Sequence, residues 1–188
     1  GLLGQFGVQL ARAAGALPLI AVGNREIRLN LAKANGANYV IPSDDSNLTK
    51  SILQYTNGGA NVIIETSGST DGLLTSFTYA ARHARILVNG CNRVTDKPLD
   101  IYKYIHLKGV QLIGAHAQTR RQQESAPGNW TMQKDFETIM GFLSDGRLKT
   151  DSLISEVISP EQTTAIYDRL INDRQFPLGV VFDWTHLE

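Results

Sequence analysis

Short apolar runs alternate with amphipathic stretches along the first two thirds of the chain. Each run ends at a glycine, a proline or a polar residue, which is typical of a buried strand. The stretches between the runs repeat apolar residues every three or four positions, which predicts helices. The predicted strands are 17–22, 38–41, 62–65, 85–90 and 110–114, and the predicted helices after the opening one are 26–35, 48–55, 71–81 and 101–107.

This alternation favours parallel βαβ units, in which helices cover both faces of one sheet. The predicted fold class is therefore α/β, a doubly wound parallel sheet. The predicted inward positions are Leu3, Gly7, Leu10, Ala11 and Ala14 in the opening helix, and Ile27, Leu31 and Ala34 in the helix over 26–35. The helix over 48–55 is expected to be capped by Asp44, Asp45 or Ser46 and to run through Leu48, Ile52 and Tyr55.

The pattern changes after residue 118, and we divide the chain there into a unit over 1–118 and a C-terminal α/β segment over 119–188. Residues 119–129 are polar and contain a Pro-Gly pair, which is typical of a connector. Ser159-Pro160-Glu161-Gln162 predicts a helix start with Ser159 as its cap. The helix before it is expected to face inward with Met132, Phe136, Ile139, Met140 and Leu143.

Small or polar residues follow several of the predicted strands. Ligands of open parallel sheets bind beyond the carboxyl ends of the strands, near the point where the strand order reverses. A single ending of this kind would suit an ordinary loop equally well, but the repetition favours a cofactor cleft. The endings are Gly23-Asn24, Thr66-Ser67-Gly68, Gly90-Cys91 and Gly114-Ala115-His116.

The chain opens with Gly1-Leu2-Leu3-Gly4 at the start of an amphipathic helix. Glycines at this spacing let backbone amides approach a phosphate, and the helix N-terminus adds a partial positive charge. The alternative is that the glycines only begin a helix. In the full G-x-G-x-x-G pattern a strand precedes the first glycine. Gly1 corresponds to the second glycine of this pattern and Gly4 to the third, and no strand precedes Gly1. We therefore expect a piece of a longer protein, whose absent strand lies between those at 19–22 and 62–65.

The composition limits the kinds of partner. The 188 residues carry 18 basic and 18 acidic side chains, which gives no electrostatic reason to expect nucleic acid or an anionic membrane. No apolar run approaches the ~20 residues that span a bilayer. The single cysteine, Cys91, excludes an internal disulfide and is compatible with a reducing compartment. The histidines show no metal-ligand spacing; they are His83, His106, His116 and His186.

Motifs in a fixed order run along nearly the whole chain. They include Gly1-Leu2-Leu3-Gly4, then Gln9-Leu10-Ala11-Arg12-Ala13-Ala14-Gly15-Ala16, then Ile63-Ile64-Glu65-Thr66-Ser67-Gly68, and finally Leu107-Lys108-Gly109. Together they resemble the coenzyme-binding half of medium-chain, zinc-type alcohol and polyol dehydrogenases. The tail from about residue 134 to 182 resembles the segment that returns to the catalytic domain of that family.

The resemblance implies a Rossmann-like domain that lacks its first strand and the N-terminal catalytic domain. It implies an oxidoreductase that transfers a hydride between a small alcohol or polyol and NAD or NADP. The family's zinc ligands lie mainly upstream of the glycine turn, so zinc is expected only in the missing domain, and this chain alone is expected to be inactive. The resemblance further implies a cytoplasmic homodimer that pairs through the edge strand at 110–114.

The resemblance also carries over a set of cofactor-binding positions. Many family members place a cation near the end of the final strand to meet the pyrophosphate, and this chain has Gly179 there. That departure weakens the expected phosphate affinity. The carried-over residues are Gly1, Leu2, Leu3 and Gly4 at the pyrophosphate, Thr66 and Ser67 on the adenosine side, and Gly90 and Cys91 near the nicotinamide ribose.

The residues after the strand at 17–22 bear on the choice between NAD and NADP. An acidic residue at this strand end normally accepts hydrogen bonds from the ribose 2′-hydroxyl, but here the position is Gly23, followed by Asn24 and Arg25. Arg28 lies one turn further on. Guanidinium groups suit a 2′-phosphate, which predicts NADP. The alternative is that Arg25 pairs with water or with Glu26.

Two other functions share these features. A zinc-free quinone reductase of the same superfamily has the glycine turn and much of the sheet, and residues upstream of Gly1 would distinguish it. A nucleotide-sensing regulatory domain uses the same sheet without catalysis. Such domains usually keep the acidic residue that Gly23 replaces, and they have no closing segment like the one over 134–182.

Overall fold

Strands and helices alternate along the chain as the sequence predicts. The computed structural model describes residues 1–94 and 96–185, so His186 lies outside the described residues. The helices are α1 (Leu2–Ala13), α2 (Glu26–Ala34), α3 (Leu48–Tyr55), α4 (Thr70–Thr78), α5 (Met132–Ser144) and α6 (Thr163–Asn172). The strands are β1 (Ile20–Gly23), β2 (Tyr39–Pro42), β3 (Ala60–Glu65), β4 (Ala80–Val88), β5 (Gln111–Gly114), β6 (Glu156–Ile158) and β7 (Val180–Phe182), and a π-helical turn covers Tyr102–His106.

The strands form three parallel sheets. One pairs β1 with β2, the second has the order β3-β4-β5, and the third pairs β6 with β7. In the second sheet, Ile63 of β3 lies opposite Ile86 of β4, which in turn lies opposite Leu112 of β5. Strands β1 and β3 do not pair with each other in the described part of the chain, which agrees with the predicted gap between them.

The main core lies between the three-stranded sheet and helices α3 and α4. Phe77 of α4 and Ile86 of β4 are fully buried at its centre. A smaller cluster joins α1 and α2 to the two-stranded sheet through Val8, Ala32 and Ala37. Burial of this apolar surface is the main driving force for the fold, at about 25 cal/mol per Å².

Helix α4 ends earlier than the pattern predicts, because residues 80 and 81 belong to β4. The ammonium group of Lys108 donates hydrogen bonds to the carbonyls of Phe77 and Ala80, over 3.2 and 3.0 Å. A cation at this point satisfies carbonyls that a helix end leaves without partners and complements the helix dipole. Lys108 therefore fixes the turn between α4 and β4.

The predicted inward faces of the first two helices are wrong. Helix α1 buries Gln5, Val8 and Gln9, whereas Leu3 is exposed. The two glutamines can be buried because their amides are hydrogen-bonded to main-chain and side-chain groups. Helix α2 buries Leu29 and Ala32 and leaves Ile27 exposed, because its sheet contact lies on a different face from the one predicted.

Helices α3 and α5 also depart from prediction. The N-cap of α3 is Asn47, not one of the three residues before it. At the other end of this helix, Tyr55 is exposed and stacks on Tyr39. None of the described residues of α5 is buried, and Met132, Phe136 and Met140 form an exposed stripe on it.

The predicted start of the last helix is correct. The hydroxyl of Ser159 accepts a hydrogen bond from the N–H of Glu161, over 3.3 Å, at the start of a 3-10 turn that leads into α6.

A search of the described helices finds none long and apolar enough to cross a membrane.

Candidate functional site

The opening turn of α1 meets the end of β3. Gly1 is the N-cap of α1, and Gly4 lies inside its first turn, so Gly4 belongs to the helix itself. A methyl group at Gly4 would lie 3.5 Å from the Thr66 hydroxyl oxygen, in ordinary contact. The first N–H groups of an α-helix have no intrahelical partner and carry a partial positive charge. The structure therefore places a helix N-terminus beside the predicted residue Thr66.

Two arginines lie beside the same helix N-terminus. A methyl group at Gly1 would lie 4.0 Å from a terminal nitrogen of Arg28. The guanidinium groups of Arg25 and Arg28 both donate to the main-chain carbonyl of Phe176, each over 3.4 Å. Burial lowers the pKa of the Arg28 guanidinium, and the positive charge of Arg25 lowers it further. Two cations thus share one neutral acceptor, which leaves their charge available to an anion.

The last residue of β1, a position that often carries an acidic residue in dinucleotide-binding sheets, is closely packed here. Gly23 is the last residue of β1, and a methyl group at this position would lie 3.3 Å from a methyl carbon of Leu29. A carboxylate side chain would therefore have to displace Leu29, which is part of the buried face of α2. Asn24, which follows Gly23, is exposed.

A buried carboxylate joins the loops that follow β3 and β4. Glu65, the last residue of β3, is only 6% exposed. Its Oε1 atom accepts hydrogen bonds from the N–H of Ser67, over 2.7 Å, and from the Ser67 hydroxyl. Its main-chain carbonyl accepts from the N–H groups of Asn89 and Gly90, over 2.9 and 2.8 Å. Glu65 therefore holds both loops at the carboxyl edge of the sheet.

The same loops contain polar atoms that lack partners. The Oε2 atom of Glu65 and both side-chain amide atoms of Asn92 are buried without a hydrogen-bond partner in the described residues. Burial raises the pKa of the Tyr79 phenol to about 12, and the nearby Glu65 carboxylate adds to the rise. Unsatisfied buried polar groups are uncommon in folded proteins, and they often mark a place where a ligand or an ordered water binds.

Two glycines let these loops approach each other. Gly68 has a φ of +69°, and a methyl group at this position would lie 3.1 Å from the Cys91 main-chain nitrogen. A methyl group at Gly90 would lie 2.7 Å from the Gly68 Cα and 2.8 Å from Glu65 Oε2. Only glycine fits these approaches without movement of the backbone. The predicted pair Gly90 and Cys91 thus lies directly against the loop that contains Ser67.

The structure gives a physical reason for the glycine at position 179. Gly179 precedes β7, and a methyl group there would lie 2.5 Å from the Leu153 carbonyl oxygen. The carbonyl of Gly179 also accepts from the N–H of Ser155, over 2.7 Å. A cationic side chain at this position would force the two segments apart.

The described residues do not fit a zinc ion. No group of three or more His, Cys, Asp or Glu side chains within residues 1–94 and 96–185 has a metal-binding arrangement. The ring of His83 packs against Gly109, where a methyl group would lie 2.7 Å from Nδ1. The exposed thiol of Cys91 lies beside Arg93, whose guanidinium pKa it raises by hydrogen bonding. We therefore derive no metal-dependent step from these residues.

The same residues do fit a dinucleotide. The helix N-terminus, the two arginines and the glycine-lined loops all lie at carboxyl ends of parallel strands, where such ligands bind. Leu2 and Leu3 lie in the first turn of α1, and both side chains are exposed. Sequence reasoning missed Gln5, Glu65 and Phe176 as site residues. The sequence signal for Gln5 was a polar residue directly after the glycine turn. The signal for Glu65 was an acidic residue at the end of an apolar strand.

Comparison with known proteins gives a consistent result. The sequence model of the zinc-binding dehydrogenase family matches residues 3–134. The chain is 30% identical to L-threonine 3-dehydrogenase of Pyrococcus furiosus over 160 residues, which are 82% of this chain and 41% of that protein. It is 25% identical to D-guloside 3-dehydrogenase of Escherichia coli K12 over 186 residues, 97% of this chain and 53% of that protein. The chain thus spans about half the length of the curated relatives it matches.

Solved structures share the fold. An alcohol dehydrogenase from Escherichia coli CFT073, in complex with the cofactor NADH, superimposes with a TM-score of 0.77 at 20% identity. The match covers 98% of this chain and 50% of that one. At this identity the likeness establishes the fold alone, which is a Rossmann-type α/β fold.

Proposed function

Because the chain belongs to the zinc-binding dehydrogenase family, we propose that it binds a nicotinamide dinucleotide at the N-terminus of α1 and serves an oxidoreductase that acts on alcohol groups. The observation that supports this most directly is the convergence of Gly4, Thr66 and Arg28 on one helix N-terminus. Helix N-termini bind phosphates because their free N–H groups and their dipole both favour negative charge. The bound dinucleotide would supply the hydride acceptor or donor.

Each part of the cofactor has candidate residues. The backbone of residues 1–4 would hold the pyrophosphate, and Gly4 lets it approach closely. The adenosine side would lie near Thr66 and Ser67, and the nicotinamide ribose near Gly90 and Cys91. Glu65 would keep these two pairs at a fixed separation, because its side chain bonds to one loop and its carbonyl to the other.

We favour NADP over NAD as the cofactor. Gly23 leaves no carboxylate at the end of β1 to accept hydrogen bonds from a 2′-hydroxyl. Arg25 and Arg28 donate to a single shared carbonyl, and neither guanidinium forms a salt bridge within residues 1–94 and 96–185. A phosphate can accept charge-assisted hydrogen bonds from both groups.

Replacing both arginines by serine is expected to lower the affinity for NADP about a hundredfold or more, since each of the two charge-assisted hydrogen bonds contributes about 1.5–3 kcal/mol. Affinity for NAD is expected to change little. Isothermal titration of the R25S/R28S variant with each dinucleotide measures both values. The control is Arg82→Ser, which removes an exposed arginine from β4. A wild-type chain that binds NAD more tightly than NADP contradicts this preference.

We propose a small alcohol or polyol as the substrate of the oxidoreductase. Both relatives named above are 3-dehydrogenases, one of a guloside and one of L-threonine, and both names denote compounds that carry hydroxyl groups. We assign no catalytic residue to this chain. Any catalytic zinc is expected to be held by residues outside it, so the 188-residue chain alone is expected to show no alcohol dehydrogenase activity.

We also propose a homodimer that pairs through β5, located in the cytoplasm, a reducing compartment in which the single thiol of Cys91 would persist. Strand β5 is an edge of its sheet in the described part of the chain, and all four of its residues are exposed. Sedimentation equilibrium is expected to give twice the chain mass. Leu112→Lys should shift the chain to monomer, because a two-fold axis brings like charges together. The matched change Val181→Lys, on β7, should not, and a monomeric wild type at every concentration contradicts the proposal.

A further inference from the structure

A buried glutamine connects the two helices that form the phosphate end of the site. Gln5 of α1 is only 4% exposed. Its side-chain nitrogen donates to the main-chain carbonyl of Arg28, over 2.7 Å, and its side-chain oxygen accepts from the amide of Asn35, over 3.2 Å. Both partners lie on α2 or at its C-cap. One side chain therefore sets the position of α2 relative to α1.

The main chain of Gln5 belongs to the other half of the site. Its N–H donates to the carbonyl of Gly1, over 3.1 Å, and so closes the first turn of α1. Gln5 is thus hydrogen-bonded both to the turn that would hold a pyrophosphate and to Arg28, whose guanidinium lies beside that turn. Gln5 binds the main-chain carbonyl of Arg28, and the guanidinium belongs to the same residue. A shift of this carbonyl therefore also moves the guanidinium.

We propose that Gln5 is a positioning residue that sets the discrimination between a 2′-phosphate and a 2′-hydroxyl. This inference rests on the proposed binding of a nicotinamide dinucleotide. A phosphate gains from Arg28 only if the guanidinium is held at the right distance from the helix N-terminus, because ion pairing and hydrogen bonding depend steeply on geometry. A hydroxyl gains little from the same cation. Loss of the Gln5 side-chain bonds should therefore weaken NADP binding more than NAD binding.

The chain offers a closely matched control one turn further along the same helix. Gln9 is 6% exposed and also makes two side-chain hydrogen bonds, to the carbonyl and the N–H of Lys149, over 3.0 and 2.7 Å. Gln5→Leu and Gln9→Leu remove the same chemical group from the same helix, at the same depth and with the same number of bonds. The two variants differ in the contact that α1 loses: Gln5→Leu removes its hydrogen bonds to α2 and the C-cap of α2, and Gln9→Leu removes its hydrogen bonds to Lys149.

The experiment measures dissociation constants of NADP and NAD for the 188-residue chain and both variants by isothermal titration, together with thermal unfolding midpoints. Both variants are expected to lose stability by similar amounts. Gln5→Leu is expected to reduce the ratio of NADP to NAD affinity by about fivefold or more, whereas Gln9→Leu should leave this ratio within about twofold of wild type. Asn35→Leu removes only the longer of the two hydrogen bonds and should give a smaller change in the same direction. This variant replaces Gln5→Leu in the experiment if Gln5→Leu does not fold.

The outcomes separate the two proposals. A wild-type chain that favours NADP, with ratios altered equally by Gln5→Leu and Gln9→Leu or by neither, overturns the positioning role and leaves the proposed function intact. A wild-type chain that binds neither dinucleotide overturns both. An unchanged ratio in Asn35→Leu, when Gln5→Leu is unfolded, also overturns the positioning role.

Discussion

Replacing Gly90 by alanine is expected to separate the two loops of the site and to weaken dinucleotide binding about tenfold or more, which corresponds to about 1.4 kcal/mol. The added methyl group would lie 2.7 Å from the Gly68 Cα and 2.8 Å from Glu65 Oε2. Carbon atoms pack at ~3.5–4.0 Å, so the backbone has to move. Overpacking of this kind also lowers the free energy of unfolding, by about 1–3 kcal/mol. Isothermal titration and urea unfolding measure the two effects.

Gly114→Ala is the control for this experiment. Gly114 also ends a parallel strand, in the same sheet, but no atom of the described residues lies within 4 Å of the methyl group that alanine would add. This variant should keep both its stability and its affinity for the dinucleotide. If Gly90→Ala behaves like Gly114→Ala, the close approach of the loops after β3 and β4 does not matter for binding.

Truncating Phe77 to alanine is expected to lower the free energy of unfolding by about 3–5 kcal/mol. Phe77 is 0% exposed and belongs to the main core, together with residues of α3, β3 and β4. It also contacts the ring of Tyr104 at 5.5 Å between ring centres. Removal of the ring leaves a cavity in addition to the lost burial. Urea unfolding followed by circular dichroism gives the free energy and the slope of its dependence on denaturant.

The matching change on α5 is Phe136→Ala, because Phe136 is 60% exposed in the structure although its helical spacing predicts an inward position. Surface substitutions usually change stability by about 0.5 kcal/mol or less. A loss comparable with that of Phe77→Ala would show that the stripe on α5 is covered in solution, and would support the inward prediction.

The sequence was sufficient to predict the elements and their order. Apolar runs such as 62–65 have no helical period, and their alternation with helices leaves parallel pairing as the favourable arrangement. The carboxyl-end glycines were predictable because the chain has to turn where a parallel strand ends, as at Gly23 of β1, or just beyond it, as at Gly90 after β4. These positions lie at the edge where the structure brings α1, Arg28 and Thr66 together.

The orientation of the helices was not predictable from spacing alone. Amphipathic periodicity treats Gln5 and Gln9 as outward residues, because it assigns polar side chains to water. Their burial depends on carbonyls and amides supplied by residues far away in the sequence, at Arg28 and Lys149. The Phe176 carbonyl likewise depends on distant partners, Arg25 and Arg28, and the Glu65 main-chain carbonyl on Asn89 and Gly90. Local pattern therefore identifies where the site lies, and long-range hydrogen bonding determines which side chains build it.

The pairing of Gln9 with Lys149 has a consequence for synthesis of the chain. The two residues are 140 positions apart, yet the amide of Gln9 is satisfied only when both main-chain groups of Lys149 are in place. Residues up to Lys149 therefore have to be synthesised before α1 reaches its final environment. Until then its buried amide depends on water, and the chain has to close a long loop, at a cost in entropy that grows with the logarithm of loop length. Helix α1 is thus synthesised before α2 to α5 but reaches its final contacts only after them.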